Sequence, residues 1–233
     1  MPEIIINGPE GRIEGRYHHS EENNAPVALV LHPHPKHGGT MNNKVTYNLF
    51  HTFARNGFSV LRFNFRGVGR SQGEFDHGIG ELSDAAAALD WLQAQNPDAS
   101  SYWISGFSFG AWLALQLLMR RPELEKFVAV SPPASMYDFS FLAPCPRDGL
   151  IIQGDQDSIV VEEDVVKLST RLNSTRNVNV QYTPIAGADH FFRAHMELLV
   201  EHADEYIATR ADEIRQRGQF RPDRKRRQLP KTS

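Results

Sequence analysis

The chain of 233 residues carries 25 Lys and Arg against 28 Asp and Glu, a formal net charge of −3, with 40% hydrophobic and 23% charged residues. That length suits one α/β domain with a large core, and that charge offers no bulk attraction for nucleic acid or an anionic membrane. A single cysteine, Cys145, excludes a disulfide framework within the chain, and no apolar run approaches the roughly 20 residues of a membrane span.

The opening stretch MPEIIINGPEGRIEGRY lacks a basic segment followed by a long apolar core, so no signal peptide is expected and the cytoplasm is the simplest compartment. EIII and GRIEGRY read as two early strands. Val27 to His32 is a near-continuous apolar run, the pattern of a strand covered on both faces. Asn43 to Asn56 reads as a helix with Gly57 as its left-handed exit, and Phe58 to Phe65 as the next strand. Ile79 to Gln95 carries one apolar stripe at Leu82, Ala85, Ala86, Leu89 and Leu92, the mark of an amphipathic helix. YWIS is a short strand, Phe109 to Arg120 a helix stopped by Pro122, and KFVAV and GLIIQ are two more buried strands. Val161 to Leu172 is helical, VNVQYTPI a strand, and Ala194 to Arg217 a long final helix with Leu199, Ala203, Tyr206, Ile207 and Ile214 on its buried face. A single domain over 1–217 is expected. The segment 218–233, GQFRPDRKRRQLPKTS, is rich in basic residues with little to bury and reads as a disordered tail, either solvated or in contact with an anionic partner.

Strands and helices in alternation imply a mainly parallel sheet with right-handed crossovers, and such sheets bind ligands beyond the carboxyl ends of their strands. One strand end stands out. Gly106-Phe107-Ser108-Phe109-Gly110 fits G-x-S-x-G, in which a serine on a sharp strand-to-helix turn is crowded enough to need small neighbours two residues away. The pentapeptide alone matches by chance in about 8 of 100 chains of this length. The strand before it and the helix after it supply the context that raises it above a helix-capping hydroxyl. A serine nucleophile needs a base and an orienting carboxylate. Two later strand ends offer them: Gly154-Asp155-Gln156-Asp157-Ser158, with two candidate acids, and Ala186-Gly187-Ala188-Asp189-His190-Phe191-Phe192, with His190 as base. Asp189 adjoins the base, but neighbouring side chains in an extended loop diverge, which makes it a poor orienter. Cys145 lies between prolines with no helix opening after it, so a structural thiol is expected.

The blocks LHPHPKHGGTMNNKV, VLRFNFRGVGRSQGEFDHG, SGFSFGAW, LIIQGDQDSIV and GADHFF, spanning about 27 to 192, resemble the α/β-hydrolase superfamily. More narrowly they are similar to a compact bacterial group of predicted hydrolases with an HPHP…GGT loop, related to dienelactone-hydrolase-like and serine-aminopeptidase-like members. The resemblance implies an α/β-hydrolase fold with a mostly parallel central sheet of about eight strands and helices on both faces. It also implies Ser108 as nucleophile, Asp157 rather than Asp155 as acid, and His190 as base, in the family's chain order. In this superfamily the loop after the strand Val27 to His32 lends one N–H to the oxyanion hole and the residue after the nucleophile lends the other. Pro33 and Pro35 have no N–H, which leaves His34 as the first candidate, with Lys36 behind it, opposite Phe109. A metal held by His32, His34 and His37 is the alternative use of that loop, weakened by the fixed prolines and the absence of a carboxylate or cysteine within it. No metal or cofactor is expected. Arg66-Gly67-Val68-Gly69-Arg70-Ser71 lacks the spacing of a phosphate loop, and the resemblance makes it structural. Many relatives carry Asp where this chain has Asn64, for which altered loop hydrogen bonding is expected.

Only SPPASMYDFSFLAPCPRD separates the strands KFVAV and GLIIQ, too short for a cap domain, which would need roughly 40 residues or more. The expected site is therefore without a large lid, walled by Met41, Phe107, Tyr137, Phe139 and Phe191, with Phe141 and Leu142 nearby. The expected function is hydrolysis of carboxylic esters or thioesters of small to medium acyl groups, the partner being a small-molecule acyl substrate. No nucleic acid is expected, and homo-oligomerisation is left open. An aminopeptidase or amidase on the same triad, or a non-catalytic binding protein of the same fold, are the alternatives.

Overall fold

The computed structural model describes residues 3–219. Eight strands, β1 (Glu3–Gly8), β2 (Gly11–His18), β3 (Val27–Leu31), β4 (Ser59–Phe63), β5 (Tyr102–Phe107), β6 (Leu124–Val130), β7 (Asp148–Gly154) and β8 (Val180–Ile185), form one sheet in the order β1-β2-β4-β3-β5-β6-β7-β8. β1 runs antiparallel to β2 and β2 to β4, and every other pair is parallel. Among the described residues four α-helices join successive strands, α1 (Lys44–Arg55), α2 (Ile79–Gln95), α3 (Phe109–Arg120) and α4 (Glu162–Asn173), and α5 (Met196–Gln219) follows β8. The expected tail lies, beyond 219, outside the described residues.

The central strands β3, β4 and β5 are buried almost throughout because helices cover both faces, while β8 at the sheet edge is partly exposed. Val30, Trp103 and Ile152 join Phe53 of α1 and Ile207 of α5 on one side. Leu29, Ile104 and Ile151 meet Leu89, Leu113 and Leu168 of α2, α3 and α4 on the other. Trp103, fully buried, stands edge-on to Phe53, Phe58 and Tyr206 at ring separations of 5.9, 5.2 and 6.2 Å, which locks α1 and α5 onto β5. The helix ends follow local chemistry. Asn43 caps α1 by accepting the Val45 N–H at 2.9 Å, and Gly57 leaves it at φ 84°. Glu81 reaches back to the N–H groups of Asp76 and Gly78 at 2.8 and 2.7 Å and closes the start of α2.

The expected strand from Phe58 to Phe65 stops at Phe63. Asn64, Phe65 and Arg66 leave the sheet to hold the rim loops instead. Arg66 is clamped to Asp84 of α2: Nε to Oδ2 at 3.0 Å, Nη2 to Oδ1 at 2.8 Å, and the backbone N–H to Oδ2 at 3.0 Å. The RGVGRS segment is thus closed on the protein itself, as a structural loop. Ser71 Oγ donates to the Asn64 carbonyl at 2.6 Å and accepts from the Glu14 N–H at 3.0 Å. Cys145 is buried, its thiol 3.3 Å from the Arg147 carbonyl, and burial raises its pKa, which keeps it a protonated, inert thiol. No helix of the described residues is long and apolar enough to cross a membrane.

The side chains of Arg66 and Asp84 are 6% and 1% exposed. Asp84→Ala strands a buried guanidinium and is expected to cost about 3–5 kcal/mol in urea denaturation, whereas a paired apolar replacement of both residues costs far less.

Candidate active site

The sharp turn after β5 is built by what its neighbours lack. A Cβ on Gly106 would lie 2.3 Å from the Gly110 carbonyl oxygen, and one on Gly110 2.5 Å from the carbonyl oxygens of both Leu31 and His32. Glycine at both positions lets α3 start directly on β5 and press against the end of β3. Ser108, between them, adopts φ 54°, ψ −121°, a conformation L-residues avoid. Its backbone is pinned by its N–H donating to the Val130 carbonyl at 2.8 Å and its carbonyl accepting from the Ala111 N–H at 2.8 Å.

Ser108 Oγ lies 3.2 Å from His190 Nε2, and His190 Nδ1 lies 2.7 Å from Asp157 Oδ2. The loops carrying Asp157 and His190 are sewn together. Gln156 N–H donates to the Ala188 carbonyl at 3.1 Å, Asp155 N–H to the Ile185 carbonyl at 3.2 Å, and Gly187 N–H to Asp155 Oδ1 at 2.7 Å. A Cβ on Gly154 would meet the Ala188 carbonyl oxygen at 2.3 Å, so glycine is what permits this approach. Between the two candidate acids the geometry is decisive: Asp155 braces the loop, while Asp157 faces the imidazole. Asp189 is taken by Arg193, at 2.7 Å.

Asp157 is buried, which pushes its carboxyl pKa up. The hydrogen bond to His190 and the N–H groups of Val160 and Ile159, both 2.8 Å from Oδ1, outweigh that and hold the pKa below the ordinary carboxylate value. Oδ2 accepts a further hydrogen bond from Gln153 Nε2 at 3.0 Å. Sequence reasoning missed Gln153. Its signal was a polar residue ending an apolar strand, GLIIQG, at a position that proves wholly buried. His190 is confined by Phe107 and Phe191, with ring centroids at 5.0 and 5.1 Å. An ionised carboxylate, an oriented imidazole and a hydroxyl in series can transfer a proton and activate the oxygen.

The histidine loop divides its labour. His32 is wholly buried; Nδ1 donates to the Pro33 carbonyl at 2.6 Å and Nε2 accepts the Phe65 N–H at 3.0 Å. Burial brings its pKa down to about 3, so it stays neutral and ties the loop to the end of β4. At the loop's far end Asn64 Oδ1 accepts the Met41 N–H at 2.8 Å, and Arg62 donates to the Met41 carbonyl. Asn64 also donates to Glu14 Oε2 at 3.0 Å, a bond that an aspartate could not make beside another carboxylate. His34 Nδ1 accepts the Lys36 N–H at 3.1 Å, which removes Lys36 as a free donor. The backbone N–H groups of His34 and Phe109 have no acceptor among the described residues, and the two rings lie 4.9 Å apart. His37 is exposed with its ring 4.6 Å from His34. Among the described residues no group of three His, Cys, Asp or Glu is placed to hold a metal.

Of the aromatic and apolar walls expected from the sequence, Tyr137 and Phe191 are half-buried, while Met41, Phe107 and Phe139 are buried at 1%, 0% and 4% exposure. Those three are packing residues rather than open walls. Phe107 backs His190, Met41 anchors the histidine loop, and Phe139 stacks on Phe141 at 6.0 Å.

A model of the X-Pro dipeptidyl-peptidase (S15) family matches residues 17–232. The chain belongs to that family. It is one branch of the α/β-hydrolase superfamily, and the fold is shared by solved relatives. A protein of unknown function from Agrobacterium tumefaciens, described as a candidate α/β-hydrolase, is 53% identical, with a TM-score of 0.89 over 91% of this chain and 97% of that one. A serine hydrolase without a lid from Xanthomonas campestris is 32% identical, with a TM-score of 0.79 over 90% and 94%. An uncharacterized protein of Rickettsia prowazekii, RP471, is 58% identical over 213 residues, 90% of each chain. In this S15-family chain β6 ends at Val130 and β7 begins at Asp148, and among the described residues no inserted domain lies between them.

His32 binds no proton in the folded chain until about pH 3, against an unfolded value near 6.5. Between those values only the unfolded chain takes up the proton, so stability falls as pH drops. His32→Gln is expected to flatten that loss by about 1.4 kcal/mol per pH unit between pH 6 and 4, read from urea melts at each pH.

Proposed function

We propose that this protein is a serine hydrolase that cleaves carboxylic esters or thioesters of small to medium acyl groups through an acyl-enzyme. The observation that carries the reading is the continuous contact from Ser108 Oγ through His190 to Asp157, at 3.2 and 2.7 Å. His190 Nε2 takes the Ser108 proton as Oγ attacks the carbonyl carbon. Asp157 holds Nδ1–H, fixes the tautomer and stabilises the imidazolium. The N–H groups of Phe109 and His34 face the developing oxyanion, a contact worth roughly 10²–10³ in rate for each donor. The imidazolium then protonates the leaving alcohol or thiol, which departs. Water, deprotonated by His190, attacks the acyl-enzyme, and Ser108 recovers its proton as the acid leaves.

The S15 match favours a second reading, amide cleavage next to a free amine. A free amine needs an unengaged carboxylate near the serine. Asp189 is paired with Arg193 and Asp155 accepts the Gly187 N–H, which favours the ester reading. Tyr137 and Phe191, both half-buried, offer apolar contact to an acyl group.

A fluorophosphonate probe is expected to label the wild type and not Ser108→Ala; equal labelling of the two, or of neither, defeats the proposal. Asp157→Asn is expected to lower kcat on a p-nitrophenyl ester by a factor on the order of 10⁴, because the amide supports the wrong imidazole tautomer. Asp155→Asn is expected to lose far less, and the same assay compares esters with thioesters and aminoacyl amides.

A further inference from the structure

The carboxylate of Asp157 divides its two oxygens between different parts of the chain. Oδ1 accepts from the N–H groups of Ile159 and Val160, both at 2.8 Å, within its own loop. Oδ2 accepts from His190 Nδ1 at 2.7 Å and from Gln153 Nε2 at 3.0 Å. Oδ2 is the oxygen that meets the imidazole, and apart from that imidazole Gln153 is its only donor among the described residues. The turn around Oδ1 alone leaves Oδ2 free to swing, and the Gln153 amide removes that freedom.

The same amide closes a circuit. Gln153 Nε2 also donates to the Val160 carbonyl at 3.0 Å, and Val160 gives its N–H to Asp157, so Gln153, Asp157 and Val160 are bonded each to each. The Gly154 carbonyl lies 3.2 Å from the same nitrogen. Three acceptors on one side fix which way the amide faces, since turning it would set its oxygen against three others. That orientation leaves Oε1 buried without a donor among the described residues. An apolar side chain of like size would bring no unpartnered oxygen into the core, so this position is polar for the sake of the acid loop. Gln153 is the penultimate residue of β7, wholly buried and paired with Pro184 of β8. It ties the acid to the sheet, a firmer support than another loop would give.

We infer that Gln153 is a positioning residue of the triad: its amide keeps Asp157 Oδ2 in line with His190 Nδ1 through a donor that carries no charge. The inference rests on the hydrolase reading above and names the group that orders its acid. A lysine or arginine would hold the oxygen as well but would pair off the carboxylate's charge. A neutral amide leaves that charge to the imidazolium that forms when Ser108 gives up its proton. Gln153 is fully buried, so it touches no substrate and acts through Asp157.

Hydrolysis of p-nitrophenyl acetate is measured for the wild type, Ser108→Ala, Gln153→Met and Gln153→Glu, with circular dichroism to verify folding. Gln153→Met keeps the bulk and loses both N–H donors. It is expected to lower kcat about 10- to 100-fold, the usual scale for removing a group that orients a reacting one, with KM held within about twofold. Added to Asp157→Asn it is expected to cost less than about a further twofold, because its effect passes through that carboxylate. Gln153→Glu supplies a donor only while the introduced carboxyl is protonated, and burial beside Asp157 raises its pKa. The ionisable groups facing that carboxyl are Asp157 and His190; Asp155 is turned to the Gly187 N–H at 2.7 Å and Glu162 to the Tyr182 hydroxyl at 2.9 Å. As pH rises through the raised pKa, kcat/KM of Gln153→Glu is expected to fall where the wild type stays level. The far-downfield proton signal of His190 Nδ1–H, assigned by its loss in His190→Gln, is expected to move in Gln153→Met. If Gln153→Met does not fold, the pH profile of Gln153→Glu decides. Ser108-dependent hydrolysis with wild-type kcat in Gln153→Met, a full additive loss in the double variant, or a level profile in Gln153→Glu overturns the positioning role and leaves the hydrolase. A moved His190 signal in a chain without Ser108-dependent hydrolysis removes the ester reading and leaves the positioning role.

Discussion

A serine held at φ 54°, ψ −121° is the constraint around which the molecule is organised. Such a backbone costs on the order of 1–3 kcal/mol. The return comes from β5 and α3 as units: a strand buried from Trp103 to Phe107 and a helix whose Leu113, Leu115 and Leu117 are buried. For both to reach the core, the chain between them must reverse within one residue. Gly106 and Gly110 remove the atoms that would block the reversal, and the serine hydroxyl is left at the sheet's rim. Strain and exposure of the hydroxyl thus have one cause.

The groups facing that hydroxyl are held by a second close approach. The loops after β7 and β8 carry Asp157 and His190, and three backbone-directed hydrogen bonds join them where Gly154 lets them touch. The acid is saturated with donors: His190, Gln153 and two backbone N–H groups. A buried carboxylate so surrounded stays ionised and cannot rotate away. The imidazole, wedged between Phe107 and Phe191, is left one productive orientation.

The loop rich in histidine does its work through neutrality rather than charge. His32 is a buried strut between the Pro33 carbonyl and the Phe65 amide, and Asn64 and Arg62 hold the other end at Met41. β4 therefore ends early because its next residues are needed as fasteners. That arrangement presents the His34 N–H beside Phe109 while Pro33 and Pro35 contribute no competing donors. Between β6 and β7 only a short loop intervenes, so the rim beside Ser108 is bordered by loop side chains.

Much of this was legible before any coordinates. The alternation of apolar strands with amphipathic helices is a local signal, and it placed α2 and α3 to the residue because capping and proline chemistry act within a turn. The G-x-S-x-G stretch announced its own crowding, and the resemblance to α/β-hydrolases named Asp157 and His190 ahead of their neighbours. What sequence could not decide was pairing across the fold. Asp155 and Asp157 are chemically alike and two residues apart; only the approach of the β8 loop tells which one meets the imidazole. Met41, Phe107 and Phe139 had the composition of pocket walls, yet exposure is a property of the packed whole, and all three are sealed. The placement of Gln153 and the neutral state of His32 likewise depend on contacts between segments distant in the chain. Periodicity and turn chemistry are set by neighbours in sequence, whereas burial, tautomer and proton contact are set by neighbours in space.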